Sequence, residues 1–158
     1  MAEKQFVVFK LNDEEYGIEI TQVKEIIEYH KPTKIPNTPH FIDGVINVRG
    51  IIVPIVSLRK RFELKNREII KDSRVIIVHL NEKLIGFVVD ETSQILRINE
   101  NDIEAAGDII TGSDRHFIAG IGKIGEKIIV LLNLKEVLTI REQQQIQQMS
   151  VYEKQFNS

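Results

Sequence analysis

The chain has no cysteine and only four alanines among its 158 residues. Without cysteine there is no disulfide framework, no thiol nucleophile and no thiolate metal site. Scarce alanine removes the strongest helix former. Charge of one sign is also lacking, since 23 acidic and 21 basic residues leave a formal charge of −2. Such a balance sets up no strong field to gather nucleic acid or anionic lipid. No apolar run approaches the roughly 18 residues that a membrane-spanning helix needs. The opening stretch MAEKQFVVF places no long apolar segment behind a basic start, so it does not read as a secretory signal. What the sequence does have is 27 Ile and 14 Val against 10 Leu. These β-branched side chains are stiff at χ1 and suit a pleated surface better than a helix. The expectation is a soluble, cytoplasmic, mostly β protein with few helices.

An internal duplication organises the chain. Residues 5–20, QFVVFKLNDEEYGIEI, align without a gap on 74–89, RVIIVHLNEKLIGFVV, so that Leu11-Asn12 meets Leu80-Asn81 and Gly17 meets Gly86. Further on, FIDGVINVRGIIVPIVSLRKRF (41–62) aligns on FIAGIGKIGEKIIVLLNLKEVL (117–138), with Phe41, Ile42 and Gly44 on Phe117, Ile118 and Gly120. The offset grows from 69 to 76, which puts the extra residues of the second copy around 99–116. Shared apolar periodicity alone would make one such match weak. Two, in the same order, indicate a pair of half-domains.

Each half reads as a short meander. Strands at 6–11 and 15–20 flank Asn12-Asp13-Glu14, and their copies at 75–80 and 84–89 flank Asn81-Glu82-Lys83. TQVKEIIEYH (21–30) is expected to make a short turn and then a strand. Strands near 44–49 and 51–57 flank Gly50, and their counterparts near 118–124 and 127–133 flank Gly125-Glu126. Ser57 and Asn133 are suited to cap brief helices, LRKRF and LKEVL. Five short strands per half point to small closed or nearly closed barrels, a closure that hides Ile-rich edges. Barrels of this size bury little apolar surface alone, so the two should pack together as one unit. The expected division is lobe one at about 12–68 plus the N-terminal strand 5–11, lobe two at about 73–140, and a tail at 141–158. In the tail, Ile146, Met149, Tyr152 and Phe156 recur on one helical face. That stripe fits a terminal helix packed on the second lobe, or else a partner-binding or frayed segment.

Catalytic patterns are missing. His30, His40, His79 and His116 are too far apart in sequence for a helical or hairpin chelate, and structural or surface roles are expected for them. Ser57 and Ser73 lie in no nucleophile-elbow motif. G-I-G-K-I-G (120–125) resembles a dinucleotide fingerprint only in outline, because the strand KIIVLL follows it where a helix is needed. No metal and no cofactor are expected. A charge is more informative: Arg49 ends VINV before Gly50, and its counterpart in the second copy is Gly125. Glu25 is the nearest acidic candidate to pair with it. Residue types leave open whether Arg49 serves the fold or an interface.

With VKEII, IPNTPHFIDGVINVRGIIVPIVSLRKRF and the echo FIAGIGKIGEKIIVLLNL, the sequence resembles the CheW family of chemotaxis coupling proteins from about Gln5 to Ile140. The resemblance implies two SH3-like five-stranded barrels side by side and a non-catalytic adaptor. Such an adaptor bridges the cytoplasmic tips of methyl-accepting chemoreceptors to the regulatory domain of the histidine kinase CheA. Carried over by position, Val23, Glu25, Gly44 and Arg49 would bind the receptor in the groove between the lobes, with Val23 as apolar anchor. The exposed ends of both barrels would meet the kinase regulatory domain. The resemblance also implies a cytoplasmic protein recruited to membrane-associated receptor arrays, with no nucleic-acid partner and no membrane insertion. A length of 158 residues leads us to expect an adaptor and not the kinase, whose regulatory domain shares the fold. Two other readings stand beside it: a similar adaptor of another signalling system, and a small-ligand-binding or hydrolytic β-barrel. The last requires a polar pocket with convergent titratable groups.

Overall fold

The computed structural model of the protein describes residues 2–65, 71–80, 82–105, 117–139 and 141–146. Strands β1 (Glu3–Leu11) and β2 (Glu14–Glu19) form the first hairpin, turned at Asn12, whose φ is 58°. A 3-10 turn at Ile20–Gln22 leads into β3 (Val23–Glu28), followed by β4 (Ile42–Val48), β5 (Ile51–Ser57) and the one-turn helix α1 (Leu58–Arg61). The second copy supplies the hairpin β6 (Arg74–Leu80) and β7 (Lys83–Val89), then β8 (Glu91–Asn99), a 3-10 turn at Glu100–Asp102 and β9 (Ile103–Ala105). Strands β10 (Ile118–Ile124) and β11 (Lys127–Leu132) and a 3-10 turn at Leu134–Glu136 complete it. Both expected caps form. Ser57 Oγ accepts from the Lys60 amide at 3.2 Å, and Asn133 Oδ1 accepts from the Lys135 amide at 3.1 Å.

The strands make two sheets, ordered β8-β1-β2-β11-β10-β9 and β3-β6-β7-β5-β4. In each, one bent segment pairs at both edges. β8 lies against β1 and, after its 3-10 turn, β9 lies against β10. In the other sheet β3 lies against β6, and Thr33 beyond it bridges Val45 of β4 through two hydrogen bonds of 2.9 Å. Each sheet is thus a five-stranded SH3-like barrel, as the sequence led us to expect.

The lobes are not the expected stretches of chain. The N-terminal hairpin does not join 23–57 but lies parallel to β11 in the barrel of the second copy. Reciprocally, β6–β7 lies parallel to β5 in the barrel of the first. We call the barrel of β3–β7 the first and the other the second. The division at 12–68 and 73–140 fails because a hairpin satisfies its own hydrogen bonds and so carries no local record of the barrel it enters. Docking against partners distant in sequence decides it.

Exchange explains why FVVF and VIIV are continuous apolar runs and not alternations. Phe6 and Val8 point into the second barrel with Ile98, Ile129 and Leu131. Val7, Phe9 and Leu11 point the other way, into a core shared by both lobes. In β6, Val75 and Ile77 fill the first barrel while Ile76, Val78 and Leu80 join that shared core. Strands buried on both faces need apolar residues at every position. Phe9 and Phe87 are fully buried in the shared core, which outgrows either barrel interior. Packing of the lobes on each other therefore supplies burial that each lacks alone.

The helix at 141–146 begins at a capping box: Thr139 Oγ1 accepts from the Glu142 amide at 3.1 Å, and Glu142 Oε1 accepts from the Thr139 amide at 2.8 Å. Ile146 is buried in the core shared by both lobes, and Glu142 lies 3.6 Å from Arg61 of α1. The helix consequently spans the seam and does not rest on the second lobe alone. Met149, Tyr152 and Phe156 lie outside the described residues, as does His116.

Candidate functional site

Arg49 and Gly50 are the two central residues of the β4–β5 hairpin, with φ of 50° and 87°. Positive φ at both positions marks the type I′ connection, which favours Asn or Gly. Arginine in this region pays a backbone cost of about 1 kcal/mol. The equivalent residue of the second copy is Gly125, at φ 59°. The turn is kept by Asn47, whose Oδ1 accepts from the Gly50 amide at 2.7 Å. Folding of the turn does not call for a guanidinium here, so its presence points outward.

The Arg49 side chain is 67% exposed and donates to the Glu25 carboxylate, which is 25% exposed. The pair suspected from sequence is therefore made. It spans the edges of the first barrel, since β3 and β4 are the terminal strands of that sheet. Val23 and Glu25, two apart, do not share a face. A register shift between them sets Val23 opposite Val78 of the shared core and Glu25 opposite Ile77 of the barrel interior. Val23 packs half-buried against the shared core.

Gly44 plays a different part. It is buried at a register shift in β4 with φ 135°, and a Cβ there would stand 2.1 Å from the Thr33 carbonyl oxygen. Only glycine allows Thr33 to reach Val45 and close the barrel. Its second-copy counterpart, Gly120, likewise faces the Glu104 carbonyl, at 2.9 Å. Gly44 thus shapes the wall that carries Arg49 and does not itself face out.

A cleft of about 920 Å³ lies between the lobes. None of Val23, Glu25, Gly44 and Arg49 lines it. The four occupy the closing seam of the first barrel instead. Tyr29 and His40 stand on the cleft wall, and burial, with a smaller contribution from Asp43, pushes the Tyr29 hydroxyl above its ordinary pKa. Several of the charges around the cleft are paired: Lys10 with Glu91 at 3.3 Å and Lys60 with Asp43 at 2.6 Å. Arg59 pairs with Asp90 in a fork, Nε to Oδ1 at 2.6 Å and Nη2 to Oδ2. Groups paired in this way are not poised as acid, base and nucleophile. Among the described residues no three of His, Asp and Glu gather as a metal site.

Sequence reading missed the Arg59–Asp90 fork. The duplication held one signal for it, because the equivalent residues, Lys135 and Thr21, cannot form such a pair.

Exchanged hairpins, paired SH3-like barrels and an exposed ion pair on one barrel wall define a double-barrel module built to meet other proteins. The model of the CheW-like domain matches residues 5–142, and the chain belongs to that family. The chemotaxis protein CheW of Klebsiella aerogenes is 35% identical over 139 residues, covering 88% of this chain and 84% of that protein. That of Bacillus subtilis is 34% identical over 135 residues, covering 85% and 86%. The crystal structure of the scaffolding protein TtCheW from Thermoanaerobacter tengcongensis superposes with a TM-score of 0.81 at 39% identity, covering 89% of this chain and 96% of that one. Among the described residues no helix is long and apolar enough to cross a membrane.

Proposed function

We propose that this chain is a non-catalytic chemotaxis adaptor that couples the cytoplasmic tips of chemoreceptors to the regulatory domain of a CheA-type histidine kinase. Family membership along residues 5–142 supports the class. The observation that carries the receptor site is Arg49, an exposed guanidinium held at a positive φ where the second barrel has glycine. In this reading Arg49 and Glu25 set the register of a receptor helix by charge, and Val23 gives it an apolar edge. Gly44 acts by holding the barrel closed beneath them. Exposed barrel ends meet the kinase domain, and the receptors would draw the adaptor to arrays at the inner membrane surface.

Co-sedimentation with a receptor signalling fragment and the kinase tests this at protein concentrations in the tens of micromolar, within the weak range of about 1 μM to 1 mM. A ternary complex is expected, and its failure to form sinks the reading. Replacing Arg49→Gly, which copies Gly125, should abolish receptor co-sedimentation while changing stability by no more than about 1 kcal/mol. A large fall in melting temperature would instead assign Arg49 to the fold.

A further inference from the structure

We propose that the Arg59–Asp90 fork is a positioning device that fixes the angle between the two lobes, and through it the spacing of the partner surfaces they carry. The inference rests on the adaptor reading for its consequence, but not for the geometry. Asp90 is the single residue between β7 and β8, where the chain leaves the first barrel for the second. Its Oδ2 accepts from the Asn12 amide at 2.7 Å, in the β1–β2 turn of the second barrel. Its own amide donates to the Lys10 carbonyl at 3.0 Å. Arg59 reaches it from α1, which is anchored on the first barrel by β5 and the Ser57 cap. The third guanidinium nitrogen, Nη1, donates to the Lys65 carbonyl. One carboxylate thus ties both barrels and the crossing strand together.

Burial makes the geometry strict. The Arg59 and Asp90 side chains are 10% and 18% exposed, so water offers little substitute for a misaligned fork. Elsewhere the lobes meet through the shared apolar core and the longer Arg61–Glu142 ion pair at 3.6 Å, and apolar contact is not directional. Aromatic stacking continues it through Phe9, Tyr16, Phe62 and Phe117, at 5.8, 6.4 and 5.1 Å between successive rings. Such surfaces resist separation far more than they resist small rotation.

The other crossover, at Ile20–Gln22, carries no equivalent, for Thr21 and Lys135 are both exposed. The lobes are therefore pinned directionally at one crossover, and Val23 and Glu25 begin beside the other. An adaptor contacting partners with both lobes needs that angle held, because angular error adds up over successive contacts.

The absence of native cysteine allows spin labels at Glu28→Cys and Gln94→Cys, exposed positions in the first and second barrels. Pulsed dipolar spectroscopy should give one narrow distance in the parent chain; a broad distribution there overturns the proposal outright. Asp90→Asn keeps the shape and an acceptor for Asn12 but loses the charge, whereas Arg59→Lys keeps the charge but loses the fork. In either folded variant the distance should broaden and shift, receptor binding alone should hold within about twofold, and ternary assembly should fall about tenfold. An unchanged narrow distance in a folded variant refutes the positioning role, whatever assembly does. If the parent chain binds neither partner, the adaptor reading fails while the distances still judge the fork.

Discussion

A single carbonyl contact decides what Gly44 does. With φ at 135° and the Thr33 oxygen 2.1 Å from where a Cβ would sit, Gly44→Ala must break the Thr33–Val45 bridge or distort β4. We expect a loss of about 3 kcal/mol or more, read from the urea midpoint, with receptor binding falling alongside stability. Arg49→Gly should separate the two. Tyr16, stacked between Phe9 and Phe62, has its hydroxyl pushed above the ordinary value of 10.0, chiefly by burial and secondarily by Glu14. A raised phenol pKa favours the folded state while the ring is neutral. That contribution is complete below the unfolded value and is lost as pH rises through the folded one. An ultraviolet phenolate titration of the parent chain against Tyr16→Phe should place the Tyr16 step above pH 10; a step at or below 10 would contradict this.

Among the elements, the hairpins and caps follow local rules, and the sequence exposes them accordingly. Asn12 in its turn, Ser57 and Asn133 as caps, and Gly50 between β4 and β5 all lie where turn and capping chemistry put them. The capping box at Thr139 and Glu142 is equally local. Thr139→Ala should cost about 1 kcal/mol. Hydrogen exchange should localise that loss, with the Gln143 amide, bonded to the Thr139 carbonyl at 2.9 Å, exchanging faster while barrel amides keep their protection. Less local is the opposition of Val23 and Glu25. Spacing of two suggests one face, and the register shift on β6 overrides it.

For the whole molecule, exchange of hairpins leaves the first barrel, β3–β7, continuous in sequence, while the second joins the N-terminal hairpin to β8–β11 from the far side of it. Each barrel borrows two strands from the other copy, and the core between them draws on both sheets. Unfolding of one lobe exposes the core it shares with the other. Calorimetry should accordingly show one transition whose van't Hoff and calorimetric enthalpies agree. Two resolved transitions would mean that the lobes fold independently. The same coupling makes the crossover at Asp90 a natural place to set the lobe angle.

Duplication, strand content and the turns were all written in the sequence, because each depends on residue type within a short window or on a repeat; Glu25 was there only the nearest acidic candidate for Arg49, and barrel closure across 24 residues made the pair. The doubly apolar runs FVVF and VIIV announced burial on two faces but not which two. Only tertiary structure decided which barrel each hairpin enters, why Gly44 has no side chain, and that Arg59 meets Asp90. These depend on contacts such as Val130 with Tyr16, Thr33 with Val45 and Arg59 with Asp90, made between segments far apart along the chain. Local preference is indifferent to such pairings; shared burial and hydrogen-bond geometry select them.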